Sequence, residues 1–311
     1  MIKLNHVVKF DKNIAVINDL TFTINDNSVV AIIGGTQSGK TILTKLIAGL
    51  YKCDFGSIDI DKRDDNTNRK ISLINEDFEH NTHMNVYEYL KFYIKCYNLK
   101  INNTNDYIDD ILQKYQIKIY KYADVDSLNN NIKKILYIAR SLMNNPDIIV
   151  MDSIMKDTNK ETKEIIRNIL LDNFMKKTII VTCNNLVELG DICTHVIILN
   201  SGNLIAYDET DKILDMMDIS RQIEIKILDS NKKLVELLKN DRMVNNIIVD
   251  GDRILISYQG DDENCNIILK KIIDHNIRVY SFKKDIESFA YLNDSISKIN
   301  NKILLNEVNF E

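Results

Sequence analysis

Gly34-Gly35-Thr36-Gln37-Ser38-Gly39-Lys40-Thr41 is the stretch that decides the fold of this chain. It satisfies the phosphate-binding pattern G-x-x-x-x-G-K-[ST] at every specified position. The apolar run from Val29 to Ile33 directly before it is typical of a buried strand, and the residues after Lys40 have the apolar spacing of a helix. A chance match in a glycine turn is the alternative, but the strand, loop and helix occur in the order that a nucleotide site requires.

The residue types in this loop predict how it binds a nucleotide. Backbone N–H groups curl around the phosphates, and the positive end of the following helix adds to the attraction. Lys40 places an ammonium group near the terminal phosphates, and the Thr41 hydroxyl is available to Mg²⁺. We therefore expect the whole stretch from Gly34 to Thr41 to surround the phosphates of a Mg²⁺-bound nucleotide.

An acidic residue at the end of a second apolar strand completes the predicted site. Phosphate-binding loops work with such an acid, which holds Mg²⁺ and faces the loop. The stretch Asp147-Ile-Ile-Val-Met-Asp152 supplies both the strand and the acid. Asp152 could instead cap the next turn, but the intact loop upstream favours the metal role.

Composition restricts the class of protein. With 311 residues, 45% of them hydrophobic and 27% charged, the chain is long enough for two soluble globular domains. Its 40 Lys and Arg residues nearly balance its 45 Asp and Glu residues, which gives a formal net charge of -5. This balance disfavours nucleic acid as a partner.

Neither a membrane span nor a cysteine- or histidine-based metal site is expected. No stretch approaches the run of apolar residues needed to cross a bilayer, and the N-terminus lacks the features of a signal peptide. The five cysteines are an odd number without any C-x-x-C pair, which predicts reduced thiols in the cytoplasm. The five histidines lack metal-binding spacing.

The pattern of strands and helices divides the chain into two parts. Over the first two thirds, apolar strand runs alternate with longer helical segments, which predicts an α/β fold with a mostly parallel core sheet. The last third predicts the order β-α-β-β-α-β, that of a small split-βαβ (α+β) domain. We expect a nucleotide-binding domain at 1–219, an accessory domain without catalytic motifs at 220–293 and a polar tail at 294–311.

Beyond these motifs, the chain resembles the ATP-binding subunit of ABC transporters over nearly its whole length. The resemblance depends on Lys45-Leu-Ile-Ala-Gly-Leu, Leu136-Tyr-Ile-Ala-Arg-Ser-Leu and Ile197-Ile-Leu-Asn-Ser-Gly. Near the C-terminus, Asp285-Ile-Glu-Ser-Phe is similar to the tail of the drug- and bacitracin-resistance class of exporter ATPases. The resemblance implies a P-loop NTPase fold of ABC type with a helical subdomain at about 80–145.

The same resemblance implies a ligand and partners. Phe10 occupies the position of the aromatic residue on which the family stacks adenine, although a place in the strand core is an equal alternative. Glu76 stands where the family usually has the glutamine of its Q-loop, and its carboxylate can still approach Mg²⁺. The implied ligands are ATP and Mg²⁺. The implied partners are transmembrane permease subunits and a second ATP-binding subunit, identical or different, at the cytoplasmic face of the cell membrane.

Three of the family's functional motifs are altered. The signature LSGGQ falls on Leu128-Asn129-Asn130-Asn131-Ile132, so that amides replace the serine and both glycines. Ser153 stands at the position of the catalytic glutamate, and Asn184 at that of the switch histidine. General-base assistance is typically worth ~10²–10⁴ in rate, so the resemblance implies MgATP binding with weak or absent hydrolysis.

Side chains around the altered signature are interpreted as structural. Asparagine tolerates left-handed φ, so the glycine turn can survive at Asn129–Asn131, with three amides in the space intended for phosphate. Lys133 and Lys134 are expected on a solvated helix face. The aromatic residues between Tyr87 and Tyr97 recur at helical spacing, which is typical of packing.

Three functions are compatible with this sequence. The favoured one is the ATP-binding subunit of an ABC-type membrane exporter. A non-hydrolysing pseudo-ATPase that acts as a regulator or scaffold is the second, and the altered motifs support it. The third is a soluble non-transport ABC protein acting on ribosomes or DNA, which would ordinarily have two such domains in tandem or a basic surface. This chain has neither.

Overall fold

The fold is described from a computed structural model. Its residues divide into two compact units, the first comprising Met1–Cys183 and Ile197–Tyr207, the second Asn184–Val196 and Asp208–Glu311. The residues that the structure describes are 1–63, 66–75, 83–173, 176–183, 189, 192–216, 221–228, 231–239, 241–251, 253–258 and 262–285. The predicted polar tail at 294–311 lies outside them.

A six-stranded sheet presents the glycine loop. Its spatial order is β5 (Ile71–Ile74), β6 (Ile148–Met151), β7 (Thr178–Cys183), β3 (Val29–Ile33), β8 (His195–Asn200) and β9 (Asn203–Glu209). The pairs β5/β6, β6/β7 and β7/β3 are parallel. Every residue of β3, β6 and β7 is buried, as expected for parallel strands covered on both faces. The predicted α/β fold with a mostly parallel core is confirmed.

A second, antiparallel sheet belongs to the same unit. It has the order β2 (Ile14–Ile24), β1 (Ile2–Asp11) and β4 (Phe55–Ile60). Helix α1 (Lys40–Ile47) begins at the end of the glycine loop. Both sheets and this helix contribute to one hydrophobic core, which includes Ile2, Leu4, Ile17, Leu20, Val30, Ile32, Leu43, Ile47, Ile148 and Ile180.

Four longer helices follow in the first unit. These are α2 (Val86–Cys96), α3 (Thr104–Lys114), α4 (Asn130–Met143) and α5 (Lys160–Asn173), with 3₁₀ turns at Lys118–Tyr120 and Val125–Ser127. A capping box begins α2, since Asn85 accepts from Glu88 N–H while the Glu88 carboxylate accepts from Asn85 N–H. The helices α2 to α4 lie within the range predicted for a helical subdomain.

Tyrosines pack around one arginine on these helices. Arg140 donates to the hydroxyls of Tyr89 and Tyr93 at 3.1 and 3.2 Å. Its guanidinium lies 4.7 Å from the centroid of the Tyr93 ring and 5.4 Å from that of Tyr137. Tyr89 and Tyr137 are buried. Of the aromatic residues predicted to serve packing, Tyr89 is buried and Tyr93 stacks against Arg140, whereas Phe92 is 46% exposed.

The second unit contains a four-stranded antiparallel sheet with the spatial order β11-β12-β10-β13. The predicted order β-α-β-β-α-β is observed, and side chains of Ile223, Ile225, Ile254, Ile256, Leu234 and Ile268 form a separate core. Helix α6 (Thr210–Met216) precedes the sheet. The later elements are β10 (Arg221–Ile227), α7 (Asn231–Leu238), β11 (Val244–Asp250), β12 (Arg253–Tyr258), α8 (Asp262–Asp274) and β13 (Val279–Asp285).

Among the helices in the described ranges, none has both the length and the apolar content that a bilayer crossing requires. The described part of the chain also holds no group of three or more His, Cys, Asp or Glu side chains arranged for a metal ion.

Candidate functional site

The glycine loop connects β3 to α1, and two of its glycines are required by close contacts. A Cβ atom on Gly34 would lie 2.4 Å from both the Leu199 carbonyl oxygen and Ser38 Oγ. Gly39 is the N-cap of α1 with a left-handed φ of 99°, and a Cβ there would lie 2.8 Å from the Val16 carbonyl oxygen. Side chains are excluded at both positions, so the loop backbone can approach a ligand closely.

Lys40 folds back over the loop that precedes it. Its Nζ donates to the carbonyl oxygens of Gly34 at 2.6 Å and Gly35 at 2.9 Å. Burial lowers the pKa of Lys40, an effect opposed by the nearby Cys183 and Asp152. A phosphate oxygen would replace neutral carbonyl acceptors with a charged one, and charge-assisted hydrogen bonds are stronger. The ammonium is therefore positioned to transfer from the loop to a bound phosphate.

Asp152 lies directly after β6, and its carboxylate is buried and oriented. It is 5% exposed, and its Oδ1 accepts from Thr182 Oγ1 at 2.6 Å. Its backbone N–H donates to the Ile74 carbonyl at 2.7 Å, which ties the end of β6 to that of β5. No described residue donates to Oδ2. An exposed Thr41 hydroxyl and an anionic carboxylate oxygen are the donor types that Mg²⁺ accepts, so these residues fit the ion.

Ser153 has a neutral hydroxyl at the position where the ABC resemblance would place a glutamate, and its backbone has a positive φ. Its φ is 56°, in the left-handed region. Its N–H donates to Thr182 Oγ1 at 2.8 Å, the same hydroxyl that donates to Asp152. A serine hydroxyl is neutral at pH 7 and cannot accept a proton from water as a carboxylate can. Ser153 therefore supplies no general base next to Asp152.

Phe10 lies at the edge of an open cleft rather than in the strand core. Its side chain is 40% exposed and meets Phe55 edge to face, with ring centroids 6.3 Å apart. Its backbone N–H donates to Asp54 Oδ2 at 2.7 Å. The cleft has a volume of about 440 Å³ and is lined by Lys9, Phe10, Asp11, Val16, Ile42, Leu50, Tyr51, Lys52 and Asp54. An aromatic ring, apolar side chains and an opening suit a planar nucleobase.

Two asparagines of the altered signature, Asn129 and Asn131, accept backbone hydrogen bonds near the starts of helices. Asn129 is the N-cap of α4, and its Oδ1 accepts from Ile132 N–H at 3.0 Å. Asn131 Oδ1 accepts from Asn159 N–H at 3.3 Å, and Asn159 in turn accepts from Thr162 N–H at the start of α5. None of the three signature asparagines has a positive φ. The expectation of a retained left-handed turn is wrong, because the helix begins at Asn130 itself.

Lys133 and Lys134 do not form a solvated face. They are 9% and 5% exposed. Lys133 Nζ donates to the Asp126 carbonyl at 2.9 Å, while Lys134 Nζ donates to the Lys156 carbonyl and to Thr158 Oγ1, the latter at 2.8 Å. The prediction is wrong because the 3₁₀ turn at Val125–Ser127 supplies an acceptor for Lys133, and the segment between β6 and α5 supplies those of Lys134.

Two predicted site residues, Glu76 and Asn184, lie outside the described residues. The structure places the others in three groups. Gly34 to Thr41 form the glycine loop with Lys40 near Asp152, and Ser153 follows Asp152. Phe10 lines the open cleft. Asn129 to Asn131 lie at the start of α4.

A scan against family models matches residues 17–156 to the model described as ABC transporter. Among similar proteins, an uncharacterized ABC transporter ATP-binding protein of Methanocaldococcus jannaschii is 25% identical over 74% of this chain and 84% of that protein. A spermidine/putrescine import ATP-binding protein of Bacteroides thetaiotaomicron is 27% identical over 53% of this chain, which is only 38% of that protein. A lipopolysaccharide export system ATP-binding protein of Haemophilus influenzae is 23% identical over 70% of this chain and 93% of that protein.

Solved structures agree on the fold. An ATP-binding subunit of an ABC transporter superposes with a TM-score of 0.62 at 18% identity, covering 70% of this chain and 93% of that one. A dimeric ATP-binding cassette in a post-hydrolysis state, bound to ADP and Pi, gives 0.59 at 21% identity, covering 68% and 99%. The loop, the strand order and the buried Asp152 define a P-loop nucleotide-binding protein. Within that class, residues 17–156 match the ABC transporter family model, and the fold is that of the ATP-binding cassettes to which the chain is similar.

Several residues around the predicted site could not be identified from the sequence. Thr182 orients Asp152 although 30 positions separate them, and only the pairing of β6 with β7 brings the two together. Ile42 and Tyr51 border the cleft beside Phe10, although each fits an ordinary helical or turn position. For Lys134 the sequence did contain a signal. This lysine lies in the apolar stripe of a helix, and a lysine there is rarely buried without a hydrogen-bond acceptor.

Proposed function

We propose that this protein is the ATP-binding subunit of an ABC-type membrane exporter, and that it binds MgATP with weak or absent hydrolysis. The observation that supports this is an asymmetry within one site. Lys40, Thr41 and Asp152 are arranged for phosphate and Mg²⁺, while Ser153 has a neutral hydroxyl beside them. ATP would then act mainly as a ligand whose binding favours association of two cassettes.

The proposed binding mode follows from the described contacts. The base would lie in the cleft against Phe10, and the triphosphate would extend along the loop between Gly34 and Lys40. Mg²⁺ would be held by the Thr41 hydroxyl and Asp152, and it would neutralise charge on the phosphates. Thr182 would keep Asp152 facing the ion.

Export as the direction of transport is supported by the similarity of Asp285-Ile-Glu-Ser-Phe to drug- and bacitracin-resistance exporters. The related proteins include one named for import and one named for export. Transmembrane permease subunits would be separate chains, and the subunit would be peripheral at the cytoplasmic face of the membrane. A second ATP-binding subunit, identical or different, would complete the complex.

Slow turnover follows from the groups that are missing. An enzyme of median turnover works at ~10 s⁻¹, and general-base assistance is worth ~10²–10⁴. Hydrolysis is then on the order of one event per hundred seconds or slower. The capping role of Asn129 and Asn131 supports the same conclusion for a composite site, since both side-chain oxygens are already used within this chain.

Binding and turnover measured on one purified sample test the proposal. We expect calorimetry to detect MgATP binding that Lys40→Met abolishes, and phosphate release that barely exceeds that of Lys40→Met. The double variant Ser153→Glu, Asn184→His should raise phosphate release at least tenfold without tighter binding. Rapid wild-type turnover that depends on Lys40 would refute weak hydrolysis, and absence of MgATP binding would refute the nucleotide site.

A regulator or scaffold that binds ATP without hydrolysing it is the second candidate. The replacement of both the base and the signature serine and glycines favours it. Purification from membranes distinguishes the two functions. A transporter subunit is expected to copurify with membrane-spanning chains in fixed stoichiometry, whereas a free regulator is not.

A further inference from the structure

The sheet of the second unit has two edge strands, β11 and β13. They differ in how well they are protected against pairing with a strand of another molecule. An edge strand presents unpaired N–H and C=O groups, which proteins commonly block with charged side chains and bulges. Strand β13 has the exposed Lys283, and its register with β10 shifts between Lys226 and Ile227. In β11 the register shift falls before Asn246, so that Ile247 to Val249 form a regular stretch without any charged side chain.

The hairpin geometry shows which backbone groups of β11 face outward. Two residues separate Asp250 from its partner Arg253. In a two-residue hairpin the flanking residues exchange hydrogen bonds, and such pairs alternate along the ladder. Ile248 therefore bonds toward β12, while Ile247 and Val249 direct their N–H and C=O groups away from it. In agreement, Ile247 N–H donates to the side chain of Asn246 at 2.9 Å.

The same stretch exposes apolar side chains. Ile248 is 48% exposed and Val249 is 46% exposed. Since successive side chains of a strand point to opposite faces, these two residues leave apolar surface on both sides of one edge. Ile247 is partly buried against the core of the second unit. Outward backbone groups and exposed apolar side chains thus coincide at three consecutive residues.

We propose that β11 pairs with β11 of a second copy of this chain, antiparallel, about a two-fold axis at Ile248. In this register Ile247 and Val249 of each copy exchange hydrogen bonds with Val249 and Ile247 of the other, and the Ile247 N–H leaves the Asn246 side chain to donate across the contact. The two Ile248 side chains meet at the axis as a non-hydrogen-bonded pair. The two four-stranded sheets become one continuous sheet.

We choose a second copy of this chain as the pairing partner because the β11 edge is complementary to itself. An isologous contact requires that residue i meet j and j meet i, and an antiparallel strand pair satisfies this at any central residue. Centring on Ile248 pairs only apolar residues at the middle three positions and places Asn246 opposite residue 250. No like charges then face each other, whereas centring on residue 250 would oppose two aspartates.

The contact is short, and its strength should be modest. Interfaces below about 1,200 Å² occur in weak and transient complexes. We expect a dissociation constant on the order of 10⁻⁵–10⁻⁴ M for the isolated pair, which would tighten where two copies are already held in one complex. Nucleotide plays no part in this contact, so it is independent of the proposed function.

Sedimentation velocity of the full chain in EDTA without nucleotide tests the proposal. The weight-average sedimentation coefficient of the wild type should rise between 5 and 200 µM, on the scale of the constant expected above. Ile248→Lys should raise the dissociation constant at least tenfold. The matched control is Tyr280→Lys on β13, at a position that is 74% exposed, and it should leave association unchanged. A wild type that stays monomeric throughout, or equal effects of both variants, would overturn the proposal.

A crosslink tests the register and separates this contact from nucleotide-driven association. In a Cys96→Ser, Lys40→Ala background, Ile248→Cys should form a disulfide-linked dimer on mild oxidation, because facing non-hydrogen-bonded residues lie within disulfide range. Tyr280→Cys should not crosslink in the same background. If Ile248→Cys crosslinks no better than Tyr280→Cys, the result counts against the pairing of β11 strands. This conclusion does not depend on whether the protein binds MgATP.

Discussion

Thr182 donates a hydrogen bond of 2.6 Å to Oδ1 of the buried Asp152, and it accepts one of 2.8 Å from the backbone N–H of the next residue, Ser153. One hydroxyl on β7 thus contacts both the predicted metal ligand, Asp152, and the residue at the predicted catalytic position, Ser153. The two strands are neighbours in the sheet, so this contact couples the site to the core.

Replacing Thr182 with valine should destabilise the protein and weaken MgATP binding. The change keeps the shape but leaves Asp152 Oδ1 and Ser153 N–H without their partner, a loss of about 1–3 kcal/mol. Urea denaturation measures the stability and calorimetry the affinity. Thr182→Ser retains the hydroxyl and should preserve affinity. Equal affinities of the valine and serine variants would show that the hydroxyl does not orient Asp152 for the ion.

Lys40→Met should abolish stabilisation by MgATP. A ligand at a hundredfold excess over its dissociation constant stabilises the folded state by about 2.7 kcal/mol, which the wild type should show in thermal or denaturant unfolding. Lys95→Met, at an exposed position on α2 away from the glycine loop in sequence, is the control and should retain nearly all of this effect. Stabilisation of Lys40→Met equal to that of the wild type would mean that the ammonium does not contact the nucleotide.

Lys40→Met should also change how stability depends on pH. Because burial lowers the pKa of Lys40 in the folded state, the unfolded chain binds more protons just below the ordinary value of 10.5. The contribution of Lys40 to stability therefore rises with pH in the window below 10.5. Denaturation of both proteins between pH 7 and 10 should show the wild type gaining relative to the variant. A constant difference over this range contradicts the buried position.

Asn129→Ala should cost more stability than Asn130→Ala. Asn129 caps α4 through Ile132 N–H, and loss of such a cap typically costs ~0.5–2 kcal/mol. Asn130 is exposed, and its side chain makes no hydrogen bond with any residue that the structure describes, so its replacement should be close to neutral. The comparison is made by urea denaturation. If Asn130→Ala proves the costlier change, these residues are not caps in solution.

Asp54→Asn should remove an acid-sensitive part of the stability. The Phe10 N–H and then the Lys9 ammonium lower the pKa of Asp54, and a carboxylate with a depressed folded-state pKa stabilises the protein above its ordinary value of 3.8. This contribution is lost as the pH falls through the folded-state pKa. Melting temperatures from pH 7 to pH 2 should therefore converge for the two proteins under acid conditions. Parallel curves down to pH 2 would contradict the assignment.

Local sequence determined the phosphate loop, the buried strands and the order of elements in both units. Each of these depends on residues close together in the chain: glycine spacing, runs of apolar residues, and the alternation of strands and helices. The glycine requirement is one example, since Gly39 must adopt a left-handed φ at the start of its own helix. The resemblance to ABC ATP-binding domains also depends on motifs of contiguous residues.

Only the tertiary structure decided which side chains meet. Lys134 is buried because a segment more than twenty residues later supplies its acceptors. Asn131 is a capping partner because Asn159 folds against it, so a segment that in sequence suggests a phosphate contact serves a structural role. Thr182 reaches Asp152 through the pairing of two strands. Hydrogen bonds between distant segments depend on chain packing, and packing leaves no local pattern from which those partners can be deduced.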